Sequence, residues 1–450
     1  MIEQQPDEKV VDRFVEALVD NGTEYLFLNP GTDTAPLLEA IAGRNARSLR
    51  SPTVVLCVHE AVALAAAHGY FMVSGKPQVV VVHVDVGTQN LGAMLHNVWR
   101  SEIGVVIFAG RTPVISTGSV PGMRDLPVHW QQDVPDQDGI VRQYAKSTVE
   151  LRVPELIDQQ VNRAFQLALA TPPGAAYLTA GREALMAPVA GARRQLPSSG
   201  SVPARYAPED ATTAEFARLL TNASRPVLTT TRVGREPGAV AELVALAELL
   251  GAPVVDRRER MNFPSDHPLY LRNASDSRRA MEDADLIVVI DSDVPWVPSR
   301  VHPAADARVV HIGTDPIRAD SPNWDFPSEL TIQSEPLHAL RATNAALAGN
   351  PLREHWFTPS ASSTPLEPAD DAPISSREVF EALDDLLAPN DIVVEEVTTN
   401  GDAMREHLAR TLPGTHFQSG GSGLGWSLGA SVGAKIARPR SRVVAVVGDG

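Results

Sequence analysis

Residues 7–20, DEKVVDRFVEALVD, set Val10, Val11, Phe14, Ala17 and Leu18 three and four positions apart, the spacing of one apolar helix face. A different pattern follows. EYLFLNPG (24–31), TVVLCV (53–58), QVVVVHV (78–84) and GVVIFAG (104–110) are short and almost continuously apolar. Such runs predict strands buried on both faces, hence a parallel sheet covered by helices on either side. Helical stretches are predicted between and after them: EAVALAAAHGYFMVSG (60–75), stopped by Gly75, then 90–101, and 154–170 ahead of the strand GAAYLTA (174–180).

The rhythm recurs twice. RPVLTTT (225–231), a helix over 236–250, APVVD (252–256), DLIVVID (285–291) and ARVVHIGTD (307–315) form a second strand–helix series. A third has a helix over 375–388, DIVVEEV (391–397), a helix over 401–411, a glycine-rich turn with its helix over 420–438, and the closing strand RVVAVVGDG (442–450). Stretches rich in Pro, Ser, Gly and Ala separate the three, as in LPSSGSVPARYAPED and FTPSASSTPLEPADDAPI. The expected fold class is α/β, with three doubly wound parallel-sheet domains at 1–185, 211–345 and 375–450 joined by linkers at 186–210 and 346–374. The third is expected to be incomplete, because the sequence ends one strand beyond the glycine turn.

Length and charge narrow the classes. A chain of 450 residues exceeds what one core supports. A net charge of −16 repels phosphate backbones, so nucleic acid is not an expected partner. A lone cysteine, Cys57, makes no internal disulfide and suits a reducing cytoplasm. The charged start MIEQQPDEKVVDRF lacks an apolar core of signal-peptide length, and no apolar stretch approaches the ~20 residues of a membrane span.

Two segments carry chemistry. In GGSGLGWSLGASVGAKIA (420–437), glycines 425, 429 and 433 recur every four residues, which lines one helix face with positions open to a second backbone or a flat ligand. VVAVVGDG delivers Asp449 to a strand end between two glycines, where ligands of open parallel sheets bind. That carboxylate suits either a hard cation bridging to phosphate oxygens or the cap of a following helix.

Taken with LFLNPGTDTAPLLEAI (26–41), VHEAVALAAAHGY (58–70) and HVDVGTQNLGAMLHNVWRSEIGVVIFAG (83–110), these segments resemble the thiamine-diphosphate-dependent enzymes of the acetolactate synthase, benzoylformate decarboxylase and pyruvate decarboxylase superfamily. The resemblance implies pyrimidine-binding, central and diphosphate-binding domains. It implies thiamine diphosphate and Mg²⁺ as cofactors, with Asp449 a metal ligand between the cofactor-contacting Gly448 and Gly450. The family's next ligand, an Asn, would lie beyond Gly450, so the chain is expected to be an N-terminal portion of a longer enzyme.

The resemblance assigns roles residue by residue. Glu60 is the expected catalytic glutamate, hydrogen-bonding the cofactor's aminopyrimidine so that a proton can leave the thiazolium carbon, which then attacks a 2-oxo acid. Gly31 and Asn90 are expected beside the pyrimidine, Ser422 to offer its backbone carbonyl, and Leu424 to bend the cofactor. Thr398 and Thr399 are expected at the diphosphate, the alternative being that a Thr or Asn400 simply caps the helix start. His83 is the expected proton carrier to and from the intermediate, and Thr32 the substrate-carboxylate contact. Asp85 would bring a second carboxylate near that substrate. Trp296 would line an entrance or serve as a packing plug, and His302 is the one histidine near it. No flavin fingerprint occurs in 225–335, so FAD is not expected.

The implied reaction is decarboxylation of a 2-oxo acid, with carboligation left open. The alternative is a non-catalytic or incomplete dimerising subunit. A dehydrogenase built on the glycine turn is rejected, since the turn lacks the acidic residue that ends a plain strand ~20 positions later. Because the family's cofactor spans two subunits, a homodimer or homotetramer is implied, cytoplasmic, with a small 2-oxo acid as partner and no membrane.

Overall fold

The computed structural model describes residues 8–115, 119–189, 193, 203–360 and 373–448. Two compact units emerge: Met1–Pro203 with Ser419–Ala445, and Ala204–Gln418 with Val446–Gly450.

The first unit is built on β1 (Tyr25–Leu28), β2 (Thr53–Leu56), β3 (Val79–Val82), β4 (Val105–Gly110), β5 (Ala145–Glu150) and β6 (Ala175–Ala180). Their order is β2-β1-β3-β4-β6-β5, and every neighbouring pair is parallel. The four valines of β3 are fully buried, as strands covered on both faces require. The helix Val10–Asp20 lays Phe14 against Phe108 of β4, ring centroids 4.8 Å apart, and Val11 and Leu18 join the same core. The chain from 84 to 100 forms two helices, Val84–Gln89 and Gly92–Arg100, where the sequence pattern predicts only the second.

In the second unit, β7 (Pro226–Thr230), β8 (Val254–Asp256), β9 (Leu286–Ile290), β10 (Arg308–Gly313) and β11 (Leu330–Gln333) make a parallel sheet in the order β11-β10-β9-β7-β8. Charges gather past its carboxyl end. The buried Arg232 guanidinium pairs with Glu259 at 3.1 Å and with Asp293. A smaller sheet consists of β12 (Ile392–Glu396), β13 (His416–Gln418) and β14 (Val443–Val447), ordered β13-β12-β14. Met261 and Gln418 tie these two sheets together, through Met261 N–H to the His416 carbonyl at 3.2 Å and Gln418 N–H to the Glu259 carbonyl at 2.8 Å. Trp296 is buried, edge-on to Phe326 with centroids 5.1 Å apart, within an apolar cluster, so it packs the central domain. It also forms one wall of a cavity of about 330 Å³ rimmed by Arg257, Arg278, Arg300 and Arg405. No helix among the described residues is long and apolar enough to cross a membrane.

The tightest helix contact lies in the first unit. The helix Glu60–Ser74 crosses the helix Trp426–Ala437 with almost no side chain between them. A Cβ at Gly433 would sit 1.8 Å from the Ala66 carbonyl oxygen, one at Gly69 2.0 Å from that of Ala430, and one at Gly429 2.7 Å from the Ala65 methyl. Of the four-residue glycine series, 429 and 433 therefore admit a neighbouring backbone. Gly425 does something else: it precedes the helix in the left-handed region, φ +83°, which favours glycine.

This contact separates two opposing effects. By helix propensity alone, Gly433→Ala would stabilise by up to about 1 kcal/mol. The contact at Ala66 predicts the reverse, an overpacking loss of about 1–3 kcal/mol. Chemical denaturation should show a lowered midpoint, and an unchanged or raised one would mean that the helices are not in backbone contact.

Candidate active site

Parallel sheets bind ligands beyond the carboxyl ends of their strands, and the first unit's chemistry collects there. Gly31, Thr32 and Asp33 follow β1; His59 and Glu60 follow β2; His83 follows β3; Arg111 and the loop to Arg124 follow β4. Because β2, β1, β3 and β4 are neighbours in that order, residues far apart in sequence meet on one edge.

Glu60 opens the helix Glu60–Ser74, with His59 as its cap: the ring Nδ1 accepts a hydrogen bond from the Ala61 amide at 3.1 Å. Glu60 itself is buried. Its Oε2 accepts from Asn90 Nδ2 at 3.0 Å, so two predicted cofactor residues are brought together. Its Oε1 has no partner among the described residues. That oxygen lies 3.1 Å from where a Cβ of Gly87 would be, so a side chain at 87 would crowd the carboxyl. A buried carboxyl with one oxygen anchored and one unengaged fits a heterocycle nitrogen supplied by a ligand.

His83 is half-buried, and its Nδ1 lies 2.5 Å from Oδ1 of the buried Asp33. Hydrogen bonding to Asp33 raises the histidine pKa above its ordinary value, against the opposing effects of burial and of the Arg124 charge. Gly31 leaves room for the ring, since a Cβ there would fall 2.1 Å from His83 Nδ1. Thr32 is exposed, and its hydroxyl oxygen accepts from Arg124 Nη1 at 2.9 Å. Arg124 also donates to the Arg111 carbonyl at 3.1 Å, and it makes no ion pair among the described residues. Neither Asp33 nor Arg124 stood out in the sequence. A lone Asp after NPGT and an Arg in a loop are too common to signal a site. Asp85, expected near the substrate, is buried, and its Oδ2 accepts from Gln89 at 3.2 Å.

The glycine turn is held by a residue the sequence did not single out. Asn97, fully buried on the helix Gly92–Arg100, donates to the Gly423 carbonyl at 2.8 Å and accepts from the Gly423 amide at 2.9 Å. Ser101 adds a hydrogen bond to the Ser419 carbonyl. A Cβ at Gly421 would collide with Asn97 at 2.3 Å and one at Gly423 with the Ala93 carbonyl at 2.5 Å, so glycines let the turn lie flat on that helix. Ser422 meets His96, Oγ to Nε2 at 3.3 Å, and Leu424 projects with 72% of its surface exposed.

Thr398, Thr399 and Gly448 belong to the second unit. Both threonines are exposed past β12, and neither caps the helix Gly401–His407. Asn400, at the cap position, instead uses its side-chain oxygen to accept from Ser376 at 2.8 Å. Gly448 N–H donates to the Glu396 carbonyl at 3.3 Å. Asp449 and Gly450 lie outside the described residues. His302 donates its backbone N–H to Glu282 at 3.2 Å.

Residues 8–140 match the thiamine pyrophosphate enzyme N-terminal TPP binding domain, 213–342 the central domain and 397–450 the C-terminal TPP binding domain. The chain belongs to the thiamine pyrophosphate-dependent enzyme superfamily. It is 27% identical to a benzoylformate decarboxylase of Pseudomonas aeruginosa over 97% of this chain and 80% of that one. It is 25% identical to an acetolactate synthase of Mycobacterium bovis over 97% of this chain and 71% of that one. A solved thiamine diphosphate-dependent 4-hydroxybenzoylformate decarboxylase of Rhodococcus jostii superposes with a TM-score of 0.80 at 24% identity, covering 98% of this chain and 81% of that one, a likeness of fold.

Removing the Asn97 side chain strands the buried Gly423 amide and carbonyl, a cost of about 1–3 kcal/mol for each group left unsatisfied. Asn97→Ala should therefore lower the unfolding midpoint and speed amide hydrogen exchange at 421–424. Exchange that stays at the wild-type rate would mean that the turn is held elsewhere.

Proposed function

We propose that the protein decarboxylates a 2-oxo acid with thiamine diphosphate and Mg²⁺. The observation that carries this reading is the pairing of a buried, half-engaged Glu60 with Asn90 on the same strand-end edge as His83. Bound thiamine diphosphate supplies a nucleophilic carbon and an electron sink for the carboxylate-bearing substrate.

The chain's own residues do the rest. Glu60 holds a proton at its carboxyl group for the aminopyrimidine, and Asn90 orients that carboxyl. Gly31 and the Ser422 carbonyl border the pyrimidine, and Leu424 packs against the cofactor. Thr398, Thr399, Gly448 and Gly450 would hold the diphosphate and Asp449 the metal, as the family's motif implies. Thr32 hydrogen-bonds the substrate carboxylate, and His83 moves a proton to and from the reacting carbon. The family's sharing of its cofactor between subunits supports a homo-oligomer, and a single cysteine supports a reducing cytoplasm. Product analysis with and without an added acceptor aldehyde reads whether a carbon–carbon bond is also formed.

Carbon dioxide release from pyruvate, benzoylformate and branched 2-oxo acids, with cofactor and Mg²⁺ present, tests the reading. At least one should turn over, and Glu60→Gln should lower that rate about 10²–10⁴-fold, the usual contribution of a positioned proton carrier. Cofactor titration by fluorescence should change far less. Undiminished turnover in the variant, or no release from any substrate, refutes the proposal.

A further inference from the structure

The acid beside His83 is absent from every role assigned so far. It stands two residues beyond Gly31 in the loop after β1, while His83 directly follows β3, the adjacent strand. We propose that Asp33 is a positioning residue for His83, fixing the orientation of the ring and which ring nitrogen carries the proton.

Four observations converge. The Asp33 side chain has no exposed surface, and its Oδ1 lies 2.5 Å from His83 Nδ1. Its Oδ2 accepts the Val84 amide at 3.2 Å, so one carboxylate grips both the ring and the backbone next to it. Val84 has φ +30°, a conformation costly for a β-branched residue and one that persists only where its surroundings enforce it. Space for the pair is carved by glycines: a Cβ at Gly110 would fall 1.7 Å from Asp33 Oδ2, and one at Gly31 2.6 Å from Oδ1.

The physical consequence follows from the ring's two nitrogens. A carboxylate accepting from Nδ1–H leaves Nε2 as the atom free to take up or deliver a proton. The other charged groups facing His83 come from the loop after β4, where Arg124 opposes its protonation and His129 lies within electrostatic reach. Gln132, at the end of the short helix Val128–Gln131, also favours the charged form. Asp33 outweighs Arg124, and the imidazolium persists to higher pH than an ordinary histidine near 6.5.

The catalytic consequence rests on the decarboxylase reading, whereas the positioning itself does not. Nitrogen-15 spectra of the histidine-labelled full chain, with His83 assigned by its loss in His83→Gln, test it directly. Above the titration midpoint, neutral wild-type His83 should carry its proton on Nδ1. A proton on Nε2 overturns the proposal without any Asp33 variant having to fold. Asp33→Asn should lower the His83 midpoint by about one pH unit or more, and Arg124→Met should raise it, with the other eleven histidines unmoved save His129. A midpoint unchanged in Asp33→Asn also overturns it. In turnover, the pH limb belonging to His83 should move down with the spectroscopic midpoint in Asp33→Asn while KM changes little. If the midpoint moves but no 2-oxo acid is turned over by the parent enzyme, the positioning role stands and the decarboxylase reading falls.

Discussion

The helix after Glu60 and the helix after the glycine turn meet backbone to backbone, and the first unit's site depends on that contact. Glycine or alanine at 65, 66, 69, 429, 430 and 433 keeps the two helices close enough that a single added methyl at 433 has nowhere to go. Close approach maximises dispersion between backbones, and packed interiors transmit such placement rather than absorb it. The glycine turn is carried on one helix and Glu60 on the other, so this contact ties two segments that lie far apart in the chain. Asn97 then locks the turn by satisfying both backbone groups of Gly423.

Two strand-end residues receive opposite treatment from their surroundings. Glu60 is given a neutral amide, Asn90, on one oxygen and no partner among the described residues on the other. His83 is given a buried carboxylate that holds one ring nitrogen and raises the ring's proton affinity. The same sheet edge thus presents an acid with an unengaged oxygen and a base with one committed nitrogen. Environments that separate titratable groups in this way mark acid–base sites in general.

Much of the architecture was legible because buried parallel strands write long Val and Ile runs. The three strands that the pattern did not predict, Ala145–Glu150, Leu330–Gln333 and His416–Gln418, are each at a sheet edge. Edge strands keep one side in solvent or against a loop, and mixed sequences such as AKSTVE suffice for them. The helix Val84–Gln89 was hidden for a related reason: it is a short turn-like segment, VDVGTQ, begun by a strained valine whose amide Asp33 holds. Glu60, His83, Asn90 and the glycine turn were singled out through resemblance, since a motif retains residue type and order. Asp33 and Asn97 were not, because their partners lie 50 and 326 residues away.

From its sequence alone the chain determined its strand–helix rhythm, its three sheets and the family of chemistry it serves, because those depend on local periodicity and on residues kept in register within short motifs. Tertiary structure decided which carboxylate His83 faces, which amide anchors Glu60, and that Gly429 and Gly433 receive a helix backbone while Gly425 caps one. Those outcomes depend on distances between strand ends and helix axes. Periodicity predicts the elements, and only their packing brings side chains from separate loops within hydrogen-bonding reach.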